Sequence, residues 1–142
     1  MKALSIKQPW AWLICAGYKD VENRTWRPMW DENGHQYLID FLPLPQRIYI
    51  HAGKTSDVNV PEKSLTHRWI MERLTVDQQS EYLKSTLTRG AIIGEATLTN
   101  CFKASSSPWA EPGMYHFLLA DPVLYKEPIP YAGRLGFFEV TL

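Results

Sequence analysis

A chain of 142 residues and 16.4 kDa has room for one domain with a core of its own, and burying roughly 70% of its unfolded surface needs no staples. Its 45% hydrophobic and 21% charged residues exclude wholesale disorder. Fifteen Lys plus Arg against fifteen Asp plus Glu exclude a histone-like mode of nucleic-acid binding, though not a local basic patch. Residues 1–30 carry such a surplus, with Lys2, Lys7, Lys19, Arg24 and Arg27 against Asp20 and Glu22.

The two cysteines, Cys15 and Cys101, have no paired spacing. That argues against a disulfide scaffold or a zinc site and makes a reducing cytoplasm the default location. No apolar run approaches the ~20 residues of a membrane helix. The first residues lack the charged-then-apolar layout of a signal peptide. No membrane partner, metal or cofactor is expected, and residues 1–142 read as a single domain.

Residues 2–6 (KALSI) predict a short strand running into Gln8-Pro9-Trp10. Proline suits a first helical turn, where its missing N–H has no partner to lose. Trp10, Leu13 and Ile14 recur at i, i+3 and i+4, which predicts a helix over 9–16. Gly17 is placed to end it in a left-handed conformation. Residues 18–27 (YKDVENRTWR) follow as an extended segment. Alternation puts Glu22, Arg24 and Trp26 on one face and Val21, Asn23 and Thr25 on the other. The stretch 28–46 reads as an insertion with Pro28, Pro43 and Pro45, and its Asn33-Gly34 pair is a strong hairpin signal.

Residues 47–51 (RIYIH) predict a strand. Residues 61–73 and 76–87 predict surface helices. Pro61 opens the first, with Leu65 and Trp69 on one buried stripe. Thr75 and Gln78 open the second as a capping box. The longest strand signal is 91–102 (AIIGEATLTNCF). Its alternation places Ile93, Glu95, Thr97 and Thr99 on one face and Ile92, Ala96, Leu98 and Asn100 on the other, with Gly94 permitting a bulge that would shift them. Ser105-Ser106-Ser107 reads as a flexible loop. Residues 115–120 and 137–142 predict further strands, and 128–136 between them a rigid turn. Five or six strands with helices early and mid-chain predict an α+β fold, a small mixed sheet or barrel under helical cover. The irregular alternation argues against a Rossmann sheet.

The stretch Gly17-Tyr18-Lys19-Asp20-Val21-Glu22-Asn23-Arg24 packs opposite charges into a turn and the strand after it. Taken alone it is a surface ion pair, worth ~0–1 kcal/mol. Burial of Lys19 would favour its neutral form and the neighbouring acid its charged form. Neutral, it could activate water. Charged, it suits a phosphate or carbonyl. Arg24 offers a planar fork for phosphate or a base edge. Glu22 suits an exocyclic amine. Trp10, Trp12, Trp26 and Tyr18 are flat surfaces on which a base can stack, although two Trp in one short helix are more often core.

This stretch resembles the G-x-K-x-x-E-x-R motif of ASCH domains, members of the PUA-like superfamily, with Gly17, Lys19, Glu22 and Arg24 at the fixed positions. KALSIKQPWAWLI, RIYIHAGK, GAIIGEATLTNCF and YHFLLADPVLYKEPIPYAGRLGFFEV are similar to further segments of that family in the same order, with 28–46 and part of 55–88 as variable insertions. The resemblance implies a small PUA-like β-barrel whose cleft, beside the first helix, is floored by the motif. It implies RNA or a modified nucleoside as partner. One branch hydrolyses acetylated cytidine with a Lys, a Thr and a Glu. Lys19 matches that Lys, but Glu22 stands in the place of the Thr, which shifts weight from hydrolysis to binding. Glu95 is the candidate for the third member.

Three functions compete at this stage. The first is a module binding RNA or a modified nucleoside through Lys19, Glu22, Arg24, Trp10, Trp26, Tyr18 and Arg134. The second is an enzyme on RNA or nucleosides, an amidohydrolase or ribonuclease using Lys19, Glu22 and Glu95. The third is an adaptor whose exposed Trp bind a protein. His51 and Lys54 are weaker candidates: a lone His ending a strand is more often structural, and Gly53-Lys54 lacks the rest of a phosphate loop.

Overall fold

A computed structural model of the chain describes residues 1–56, 68 and 70–142. In chain order it forms β1 (Lys2–Gln8), α1 (Trp10–Cys15), β2 (Val21–Arg24), β3 (Met29–Trp30), β4 (Gln36–Leu38), a short 3-10 turn (Ile39–Phe41), β5 (Leu42–Pro43), β6 (Gln46–Ser56), α2 (Val76–Ser85), β7 (Ala91–Phe102), β8 (Tyr115–Pro130) and β9 (Phe137–Glu139). Six strands make one strongly curled half-barrel in the order β2-β8-β7-β6-β1-β9. β1 and β6 run parallel and the other neighbours antiparallel. The α+β barrel expected from the sequence is the fold observed. The helix expected over 61–73 lies mostly outside the described residues, Leu65 and Trp69 included.

α1 fills the hollow of the half-barrel. Ala11, Trp12, Leu13, Ile14 and Cys15 are all buried, against β1, β6, β7 and β8. A helix apolar on nearly every side belongs inside a core rather than on it. Trp10, at its first position, is the one residue left half-exposed. Gly17 ends the helix at φ +88°, and the N–H groups of Tyr18 and Lys19 both donate to the Leu13 carbonyl at 2.9 Å. That left-handed cap reverses the chain and sets Lys19 directly beneath the helix. Fully buried Gln8 holds the other end. Its Oε1 accepts from Trp12 N at 3.1 Å, and its Nε2 donates to Ser85 O and Thr88 O, both at 3.0 Å. The expected capping box of α2 is formed, with Gln78 N donating to Thr75 Oγ1 and Thr75 N to Gln78 Oε1.

Two strand readings change. Ile50 pairs with Gly94 and His51 with Ile92, so Ile93 is the extra residue of a bulge. Ile93 turns inward with Ala96 and Leu98, while Ile92 joins Ala3, Phe138 and Val140 on the opposite face. The plain alternation that grouped Ile93 with Glu95 is therefore broken at Gly94, as a bulge breaks any period of two. β8 also runs on to Pro130, where a rigid turn was expected from residue 128. β2 covers only Tyr115–Leu118 of β8, so its later half is an edge. There the prolines give up no ladder hydrogen bond.

Residues 28–46 are a small sheet of their own, β3-β4-β5. The expected turn is present, with Gly34 at φ +80° and Asp31 Oδ1 accepting from Asn33 N and His35 N, both at 2.9 Å. Leu38 and Leu42 enter the main core. The Gln36 amide holds the Cys101 backbone through both its atoms, at 2.6 and 3.1 Å. The insertion thus closes one end of the half-barrel.

Candidate functional site

The half-barrel leaves a gap between its two edges. β9 pairs with β1 only at Lys2, Ala3 and Leu4, so the backbone beyond Leu4 is open on that side. β2 is the other edge. Arg24 crosses the gap and donates from Nη2 to the Ser5 carbonyl at 2.9 Å. Beside this link lies a cavity of about 860 Å³, walled by Trp10, Lys19, Glu22, Arg24 and Trp109 among others.

Its floor is a chain of charges. Lys19 is 5% exposed and Glu22 7%. Lys19 Nζ donates to the Val21 carbonyl and lies 3.3 Å from Glu22 Oε1. Glu22 Oε2 takes Arg24 Nε at 3.0 Å and Nη2 at 2.8 Å. Both carboxylate oxygens are therefore committed to cations. Lys19 keeps one N–H, and Arg24 keeps Nη1, without a partner among the described residues. The ammonium also lies 5.8 Å from the centroid of the Trp10 ring. What the floor offers a ligand is donors, with the acid serving as their counter-ion. This corrects the expectation that Glu22 itself would receive an exocyclic amine.

Asn23, on the opposite face of β2, fixes the far wall. Its Nδ2 donates to Trp109 O at 3.0 Å and its Oδ1 accepts from Glu111 N at 2.9 Å. His116 Nε2 donates to Glu111 O at 2.8 Å, and its Nδ1 accepts from Ser105 N at 3.2 Å. Ser107 Oγ donates to Asp20 Oδ1. The Ser105–Ser107 stretch, expected to be flexible, is hydrogen-bonded at both ends of the run. The result places Trp109 edge-on to Trp10, ring centroids 6.4 Å apart at 74°. Sequence reading missed Asn23, Trp109 and His116 as site-building residues.

A family model for the ASCH domain matches residues 4–127. The chain belongs to the ASCH domain family. That family is generally linked to RNA binding. A comparison with curated proteins finds no significant match.

The remaining candidates of this ASCH domain are not brought to the cleft. Tyr18 is half-buried and packs against the core on Trp12, ring centroids 5.7 Å apart. Trp26 packs on Phe117 and Phe137, with the Arg24 guanidinium 5.0 Å from its ring centroid, and does not line the cavity. Arg134 is exposed beside Leu135, which stands at the rim. His51 is buried between Ser5 Oγ at 2.7 Å and the Tyr131 carbonyl at 2.8 Å, a structural tie.

Glu95 faces the other side of the sheet. Its carboxylate accepts from Tyr125 OH at 2.6 Å and Arg47 Nε at 2.7 Å. The Lys19–Glu22–Glu95 set considered for hydrolysis is thus not assembled. The Tyr125 hydroxyl foremost, with Arg47, holds the Glu95 carboxyl below the usual carboxylate range, against the opposing pull of burial. Its folded value is depressed, so its stabilisation is present above the unfolded value and is lost as pH falls through the folded one. Glu95→Gln should therefore flatten the acid limb of the stability curve below about pH 4.5. Thermal melts at successive pH values test this. An acid limb as steep as wild type would contradict it.

Proposed function

We propose that the cleft binds single-stranded RNA by taking up one base or modified nucleoside against Trp10 and Trp109, with Lys19 and Arg24 donating to its carbonyl or phosphate oxygens. The observation that carries this reading is the floor itself. A carboxylate neutralised by two cations, each with donors to spare, recognises acceptors. Splayed bases are read in this way, by stacking and by edge hydrogen bonds. Zero net charge fits a pocket for one base better than a long track of phosphates.

Lys19→Ala should weaken binding of single-stranded RNA at least tenfold, read by fluorescence anisotropy on protein whose circular dichroism is native. The salt dependence of wild type should be shallow. Two or three phosphate contacts on a single strand give a slope of about −1.5 to −2 in log K against log salt. Full binding by Lys19→Ala, or a slope near −10, would rule out the cleft as the site.

A further inference from the structure

We propose that the groove between the end of β2 and the β3–β5 insertion carries the nucleotides flanking the base held in the cleft, so that the ligand is an RNA strand several nucleotides long rather than a free nucleoside. This rests on the reading of the cleft as an RNA-base site. The groove has a volume of about 590 Å³ and is lined by Trp26, Arg27, Met29, Trp30, Tyr37 and Ile39.

The groove adjoins the cleft at two points. Arg24, in the cleft floor, lies over the ring of Trp26, which lines the groove. Leu135 stands at the cleft rim, and a Cβ on the next residue, Gly136, would lie 3.6 Å from Ile39 Cδ1 in the groove wall. A strand leaving the cleft past Arg24 therefore meets Trp26 first and the insertion next.

The insertion is built in a way its own stability does not explain. It buries Leu38 and Leu42 but leaves Trp30 57% and Phe41 80% exposed, with Phe41 stacked on Tyr37 at 5.7 Å and 18°. Indole and phenol rings half in water are platforms for bases, which stack on them without sequence preference. The charges along the path have the sign a phosphate backbone needs. Arg27 and Arg134 are exposed and have no carboxylate partner among the described residues. Asp31, which follows β3, is engaged inside its own turn by two backbone N–H groups and by His35 Nδ1 at 3.3 Å. Cation and ring thus alternate from Arg24 to Trp26, Arg27 and Trp30. That alternation favours a nucleic-acid strand over an apolar peptide.

The test measures binding of uridine monophosphate and of uridine oligomers of two, four and six nucleotides to the full chain. Affinity should rise from the monomer to the hexamer by at least the roughly tenfold that one stacked base provides. Trp30→Ala should remove most of that rise while leaving monophosphate binding within twofold of wild type. Arg27→Ala should also weaken the hexamer and make its salt dependence shallower. Trp30 and Arg27 are exposed, so both variants should melt with wild type. Equal affinity for monomer and hexamer overturns the proposal. So does a hexamer that Trp30→Ala binds as tightly as wild type, which would turn the exposed rings over to a protein partner. Failure of the cleft reading is separable: hexamer binding would then survive Lys19→Ala yet still fall in Trp30→Ala. No binding of any probe overturns both.

Discussion

Replacing Glu22 with alanine should destabilise the protein by about 3–5 kcal/mol, the cost of removing one member of a buried charge cluster. Glu22 is the only carboxylate paired to Lys19 or Arg24 among the described residues. Without it a 5%-exposed ammonium and a guanidinium whose side chain is 23% exposed face each other across the cleft floor with no counter-ion. Lys19→Ala leaves the Glu22–Arg24 pair intact and should cost less, though more than the ~1 kcal/mol of a surface site, because Lys19 is buried rather than exposed at a turn. Lys19→Ala/Glu22→Ala should therefore be less destabilised than the sum of the two single variants, since Lys19→Ala removes the buried cation that Glu22→Ala leaves stranded. Urea unfolding of the three variants measures all these terms. Additivity within about 0.5 kcal/mol, or a Glu22→Ala cost under 1 kcal/mol, would mean that the cluster is held by packing and not by charge.

The parts of this site that were legible in the sequence are those fixed by local geometry. Gly17 needed only a left-handed residue after a helix for Lys19 to be placed. Glu22 and Arg24 share a face because they are two apart on a strand. The α1 stripe and the Thr75–Gln78 box follow from spacing of the same kind. What stayed hidden depends on contacts between distant segments. The link that closes the half-barrel ends on the Ser5 carbonyl, and a backbone oxygen has no signature in a side-chain pattern. Asn23 read only as a residue on the strand face opposite Glu22 and Arg24. Its amide holds Trp109 and Glu111 by meeting a loop more than eighty residues away, at separations of 86 and 88. Glu95 had the residue type a hydrolase needs, but the bulge at Gly94 and the pairing with Arg47 and Tyr125 settle its direction only in three dimensions. The prolines of β8 misled for a related reason. They exclude a central strand, and nothing local tells that β2 stops short and leaves them on an edge.

Gly94 ties that bulge to the cleft, and Gly94→Ala should be the most damaging of the glycine-to-alanine changes. A Cβ at this position would stand 2.1 Å from the Val123 carbonyl, 2.7 Å from Cys15 Sγ and 3.1 Å from Cys15 Cβ. The first obstacle is backbone of β8, beside Asp121 at φ +50°, in a stretch where the β7–β8 register already shifts. The second is the last residue of α1, whose thiol is so enclosed that burial pushes its pKa up to about 12. Neither can swing aside as a flexible side chain would. Overpacking of this kind costs about 3 kcal/mol or more, which lowers the melting temperature by roughly 10 °C in a domain of this size. The strain also has a direction. Relief by moving α1 away from β7 displaces Trp10 and the turn that carries Lys19, so the RNA affinity proposed for the cleft should fall even in the fraction that remains folded. Cys15→Ala in the same chain removes the Sγ contact but not the carbonyl, and should restore less than half of the lost stability. Melting within 2 °C of wild type in Gly94→Ala would show that β8 yields freely at Val123, and α1 would then not be held against the sheet by the absence of a side chain at residue 94.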